Sequence, residues 1–138
     1  MQARFSPDQR AIAFVMHLDS GHSQLLAAPY LTETRSPENS WVTLTDGSAW
    51  DAAPQWSPNG KLIYFTSGRD GYNCIWGLRL GASYKPEGAP FAVYHFHKAS
   101  RSPGLAVFNG LDMFLGPNQI YLSLGEMSGS IWLAKAAE

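Results

Sequence analysis

Trp56-Ser57-Pro58-Asn59-Gly60-Lys61-Leu62-Ile63-Tyr64-Phe65 has an earlier copy, displaced by 51 residues: Phe5-Ser6-Pro7-Asp8-Gln9-Arg10-Ala11-Ile12-Ala13-Phe14. In both, an aromatic residue precedes Ser-Pro, an acid or amide, a basic residue and an apolar run. A degraded third copy reads Leu115-Gly116-Pro117-Asn118-Gln119-Ile120-Tyr121-Leu122. Self-similarity at this period marks an array of like supersecondary units. Proline presets φ for a tight turn, and Asp or Asn bonds its own backbone there. Each copy therefore reads as strand, turn, strand.

Working outward, a second piece also recurs. Tyr72-Asn73-Cys74-Ile75-Trp76 matches Gly129-Ser130-Ile131-Trp132, and Ser23-Gln24-Leu25-Leu26 holds the corresponding place in the first copy. A fourth strand is expected at residues 41–45 and again at residues 91–96. The runs at residues 11–16 and 62–65 are continuously apolar, so both of their faces are expected to be buried. Phe5, Trp56, Trp76 and Trp132 are expected between sheets. The fold class is all-β: an incomplete β-propeller of about three four-stranded antiparallel blades, the last lacking its fourth strand.

Composition agrees. Thirteen Gly and nine Pro leave no Gly- or Pro-free stretch longer than residues 8–20, which excludes long helices. Aromatic residues make up 13% and lie in short runs with Val, Ile and Thr, which is strand chemistry. A hydrophobic fraction of 45% with 15% charged residues is globular. The formal net charge of -1 argues against a nucleic-acid partner, which demands a clustered positive excess. No apolar run is long enough for a membrane span. The N-terminal residues lack the pattern of a signal peptide, so the chain as it stands reads as cytoplasmic, or periplasmic if a leader is missing. One cysteine permits no internal disulfide.

Asp51-Ala52-Ala53-Pro54-Gln55-Trp56-Ser57-Pro58-Asn59-Gly60-Lys61, then Tyr64-Phe65-Thr66-Ser67-Gly68-Arg69-Asp70-Gly71 and Ile75-Trp76, resembles the repeat of TolB-type WD-like β-propellers. The first copy lacks Arg-Asp-Gly, and the third keeps only Gly-Pro-Asn and Ile-Trp. The likeness is strongest over residues 41–96 and is to the C-terminal part of a larger bacterial propeller protein. It implies one partial propeller domain over residues 1–138, with blades at about 3–48, 49–103 and 104–138. Fold carries over from such a likeness more readily than activity, because propellers host many functions.

Catalytic motifs are missing from the sequence. Gly125-Glu126-Met127-Ser128-Gly129 places its serine one position late for a nucleophile elbow. Scattered glycines form no phosphate loop. Asp51 reads as a cap on backbone amides, and Asp70 as the acceptor of a turn before the third strand. Cys74 reads as a buried, inert thiol. His95 and His97 alternate on one strand, with no third ligand near and Cys74 in another strand, so a solvated edge pair is expected and no metal site. His17 and His22 flank a turn and are expected to be exposed. No cofactor is expected. Trp50, Asp51, Arg69, Asp70 and Tyr72 are the candidate ligand or partner contacts.

The function expected is a noncatalytic interaction module that binds a protein or peptide. Its open ends are completed by self-association, most simply as a homodimer, or by the missing blades of a parent chain. The alternatives are an accessory propeller of a peptidase-like enzyme and a carbohydrate-binding propeller using Trp50 and Tyr72.

Overall fold

The two Ser-Pro segments fold into the same turn, bond for bond. Ser6 Oγ donates to Asp8 Oδ1 (2.6 Å) and accepts the Ala11 N–H (2.9 Å), while Asp8 Oδ1 accepts the Arg10 N–H (3.1 Å). Ser57 Oγ donates to Asn59 Oδ1 (2.8 Å) and accepts the Leu62 N–H (2.9 Å), while Asn59 Oδ1 accepts the Lys61 N–H (3.0 Å). The turn requires a left-handed residue. Gly60 supplies it at φ 69°, and Gln9 adopts φ 57° at the same place. In the third copy glycine replaces the serine, and the Gly116 N–H bonds directly to the Gln119 carbonyl (2.8 Å).

The computed structural model describes residues 3–97, 101–102, 113–116, 119–126 and 128–129. Each turn launches a strand into a four-stranded antiparallel meander. The first sheet runs β1 (Ala3–Phe5), β2 (Ala11–His17), β3 (Ser23–Pro29), β4 (Val42–Thr43), in that spatial order. The second runs β5 (Asp51–Trp56), β6 (Leu62–Ser67), β7 (Cys74–Arg79), β8 (Phe91–Tyr94). Both follow the order expected from the repeats. Beyond them β9 (Arg101–Ser102) pairs with β12 (Gly125–Glu126), and β10 (Met113–Leu115) pairs with β11 (Ile120–Leu122). The expected third strand of the last unit, around Ile131 and Trp132, lies outside the described residues. Among those described, the only helical pieces are two short 3-10 turns, Glu38–Ser40 and Ala82–Tyr84. None is a helix long and apolar enough to cross a membrane.

The core lies between the first two sheets. Ala11, Ala13, Val15, Leu25, Ala27 and Leu44 of the first unit meet Trp56, Ile63, Phe65, Leu78 and Leu80 of the second. Size is complementary: the alanines of β2 and β3 leave room for the Trp56 and Phe65 rings. Trp56 also donates its Nε1–H to the Arg4 carbonyl (3.0 Å), so its polar edge is satisfied. A polar seam joins the sheets at the other end, where Ser23 Oγ accepts the Asp51 N–H (2.8 Å).

Burial departs from expectation in three places. Phe5 is 54% exposed although its repeat partner Trp56 is buried, because among the described residues no sheet covers its side of β1. Trp76 is only half-buried, beside the Arg69 guanidinium. Ala11, Ala13 and Val15 of β2 and Ile63 and Phe65 of β6 are buried, and the residues between, such as Ile12, Phe14, Leu62 and Tyr64, are half-buried. Trp132 lies outside the described residues.

Strand β5 is bent in its middle. Pro54 has no N–H for the ladder, and the register shifts between Ala52 and Gln55, with Ala53 at φ 52°. An edge strand tolerates such a bulge. At the other edge, β7 and β8 slip by one residue between Ile75 and Trp76. That slip positions the site described next.

Candidate functional site

The loop after β6 carries the Arg-Asp-Gly of the repeat. Gly71 sits at φ 87° and its N–H bonds to the Gly68 carbonyl (2.9 Å), closing a tight turn. Asp70 accepts the Tyr72 N–H at Oδ1 (3.2 Å), the turn role expected of it. Its other oxygen turns toward the end of β8. There His95 Nδ1 lies 2.8 Å and His97 Nε2 3.1 Å from the same Oδ2. The alternation of an extended chain puts both imidazoles on one side, with ring centroids 4.5 Å apart. Phe96, between them, donates its N–H to Cys74 Sγ (3.2 Å). Cys74, the first residue of β7, has no exposed surface.

Four side chains therefore converge. One ligand atom from each of Asp70, Cys74, His95 and His97 lies within 4.8 Å of all the others. This corrects the expectation that no third ligand lies near the histidine pair. Cys74 is in another strand, but that strand is the hydrogen-bonded neighbour of β8. The surroundings separate the two acids electrostatically. Burial raises the Asp70 carboxyl, yet hydrogen bonds from His97, the Tyr72 backbone, His95 and Cys74 outweigh it and hold the group below its usual range. Burial pushes the Cys74 thiol up; the Phe96 N–H opposes this, and the nearby Asp70 charge reinforces it.

The other candidates take different places. Asp51 is fully buried, and its carboxylate receives the Arg69 guanidinium Nη2 at 3.1 and 3.2 Å rather than capping amides. Arg69 also donates Nε–H to Ser67 Oγ (3.0 Å) and lies over Phe65 and Trp76. Asp51 and Arg69 thus hold the second unit together internally. Trp50 is 39% exposed and rests on the His17 ring; Tyr72 is 41% exposed and rests on the His97 ring. Tyr72, Asp70 and the histidines are neighbours, whereas Trp50 sits apart on the Asp51 turn. His17 and His22 are exposed, as expected.

Beside the two imidazoles opens a cavity of about 750 Å³ with apolar walls from Ile75, Val93, Phe96 and Ile120. It lies between the second sheet and the β10–β11 hairpin. The sequence does carry a trace of the cluster, Asp-x-x-x-Cys at residues 70–74 followed by His-x-His at residues 95–97. The two halves had to be read together to be noticed. Compared with protein-family models and with curated proteins, the chain matches none.

Proposed function

We propose that this chain is a noncatalytic β-propeller-type interaction module of the TolB-like kind, binding a protein or peptide partner and completed by a second copy of itself. The observation that supports this reading is the contrast between two equivalent faces. Trp56, Ile63 and Phe65 of the second sheet are buried against the first. Their equivalents one repeat earlier are Phe5, Ile12 and Phe14, on the side of the first sheet that faces away from the second. Pairing of Phe5 with Ile12, and of Phe14 with Leu26, places these residues on one face.

That face is built for cover. Phe14 packs edge-on against Trp41 (5.1 Å) and Phe5 against Tyr30 (5.0 Å), while Phe5, Tyr30 and Met16 remain exposed. The contact between the two sheets is directional, because the first offers its small-residue side, Ala11, Ala13 and Ala27, to the Trp56 and Phe65 side of the second. A second copy that stacks its last unit on the face of Phe5 and Phe14 covers it, and head-to-tail stacking then has to close or run on as a filament. Two copies of about three units make about six, within the usual range for propellers of roughly four to eight blades.

Sedimentation velocity at micromolar concentration tests the reading. A closed dimer is expected. A stable monomer, or open-ended polymers, would overturn it.

A further inference from the structure

We propose that Asp70, Cys74, His95 and His97 form a binding site for a single zinc-class divalent metal ion, held by a carboxylate oxygen, a thiolate sulfur and one nitrogen of each imidazole. The donor set decides the class of metal. Hard cations such as calcium want six or more oxygens, and this site offers one carboxylate. Thiolate with imidazole suits zinc, which takes four N, S and O ligands in a tetrahedron.

The geometry is close to that tetrahedron. With metal–ligand bonds of about 2.0–2.3 Å, the donors around zinc stand roughly 3.3–3.8 Å apart. Here all four lie within 4.8 Å of one another. Two ring nitrogens already aim at one point, Oδ2 of Asp70, from 2.8 and 3.1 Å. A metal ion entering there replaces those two contacts and opens the gaps by about 0.5 and 0.2 Å. Entry is available because both histidine side chains are about half exposed, at 44% and 53%. Binding displaces the thiol proton to solvent, and each imidazole keeps its remaining proton on the nitrogen that faces away.

With four protein ligands the site is closed, so its role is structural rather than hydrolytic. The ion clips three pieces together: the Arg-Asp-Gly turn, the start of β7 and the segment beyond β8. His95 and His97 also wall the neighbouring cavity, so the clip fixes the surface the third unit packs on. None of this depends on the module reading, because all four ligands belong to the second unit of one chain.

Cobalt(II) and zinc(II) titrations of the full chain test the site. One equivalent of cobalt should produce the visible bands of a tetrahedral complex and a near-ultraviolet thiolate-to-cobalt band, both removed by zinc. Zinc at about a hundredfold excess over Kd should raise the melting temperature by on the order of 10 °C. His97→Ala changes an exposed side chain and should abolish both responses while the protein stays folded. Cys74→Ser should remove the charge-transfer band; should that change at a buried position unfold the chain, His95→Ala, at an exposed position, takes its place and should behave as His97→Ala. Folded protein with no cobalt spectrum and no zinc shift would overturn the site. So would a shift that persists undiminished in His95→Ala and His97→Ala.

Discussion

At the scale of single residues, the two Ser-Pro turns form a natural experiment, because one uses a carboxylate where the other uses an amide. Asp8 is held below its usual range by the Ser6 hydroxyl first, then by the Arg10 backbone N–H and the Tyr84 hydroxyl, against a small opposing effect of burial. A carboxyl depressed in the folded state contributes stability above its ordinary range and loses it as pH falls through the lowered value. Asn59 makes the equivalent bonds without titrating. Asp8→Asn should therefore leave the neutral-pH melting temperature nearly unchanged and flatten its fall in acid. An acid titration of the variant with the wild-type slope would refute this. The Asp51–Arg69 pair is a different case, buried on the acid side and 18% exposed on the basic side. Removing one partner of such a pair strands the other charge, at a cost of about 3–5 kcal/mol. Arg69→Met should lower stability by that order in urea melts, and a loss under about 1 kcal/mol would show that water already screens the pair.

At the scale of elements, the second sheet depends on close approach at its outer edge. Gly77 faces Phe91 across β7 and β8, and a Cβ there would stand 2.7 Å from the ring's Cζ. The ring is held from the other side by the Arg79 guanidinium, 4.8 Å from its centroid. A strand glycine normally weakens a sheet by about 0.5–1 kcal/mol relative to alanine. Here crowding wins, since overpacking costs about 1–3 kcal/mol. Gly77→Ala should lower the melting temperature, and Phe91→Ala in the same chain should relieve much of the loss. Equal melts for Gly77→Ala and wild type would mean that the Phe91 ring moves aside freely. The loop between β7 and β8 carries a second constraint. Ser83 and Tyr84 both take positive φ, and Tyr84 reaches back to donate to Asp8 (2.9 Å) and to pack on Trp56 (5.3 Å). The contacts with Asp8 and Trp56 hold this strained backbone in place.

At the scale of the whole molecule, the first sheet turns an aromatic face away from the second, with Phe5 exposed among the described residues. Phe14→Asp places a charge on that face, beside Trp41 and outside the core between the sheets. It should convert the proposed dimer to monomer with its far-ultraviolet circular dichroism intact. A variant that remains dimeric would locate the contact elsewhere, for instance at the last unit. Zinc should not alter this equilibrium, because the metal ligands sit at the far edge of the second sheet. A zinc-dependent change in association would tie the two sites together.

The sequence by itself determined what is local. Turn identity was legible because the side-chain hydrogen bonds of the turns join residues at most five positions apart, as from Ser6 to Ala11 and from Ser57 to Leu62, and strand order within each sheet followed from the repetition of those turns. The turn role of Asp70 was legible for the same reason, since its bond to the Tyr72 N–H spans two positions. Whether a face is covered depends on a neighbour, so Phe5 repeats the sequence role of Trp56 without its burial. The two halves of the metal-ligand cluster, Asp70 with Cys74 and His95 with His97, are brought together by tertiary structure. The cluster's contacts span 25 residues from Asp70 to His95, 27 to His97, and 22 from Cys74 to Phe96. Such pairs meet only through the register of β7 on β8, and the one-residue slip at Ile75–Trp76 is part of that register. In a strand of period two, moving the register by a single residue sends side chains to the opposite face. Spacing along the chain carries no trace of that choice; packing between the strands makes it.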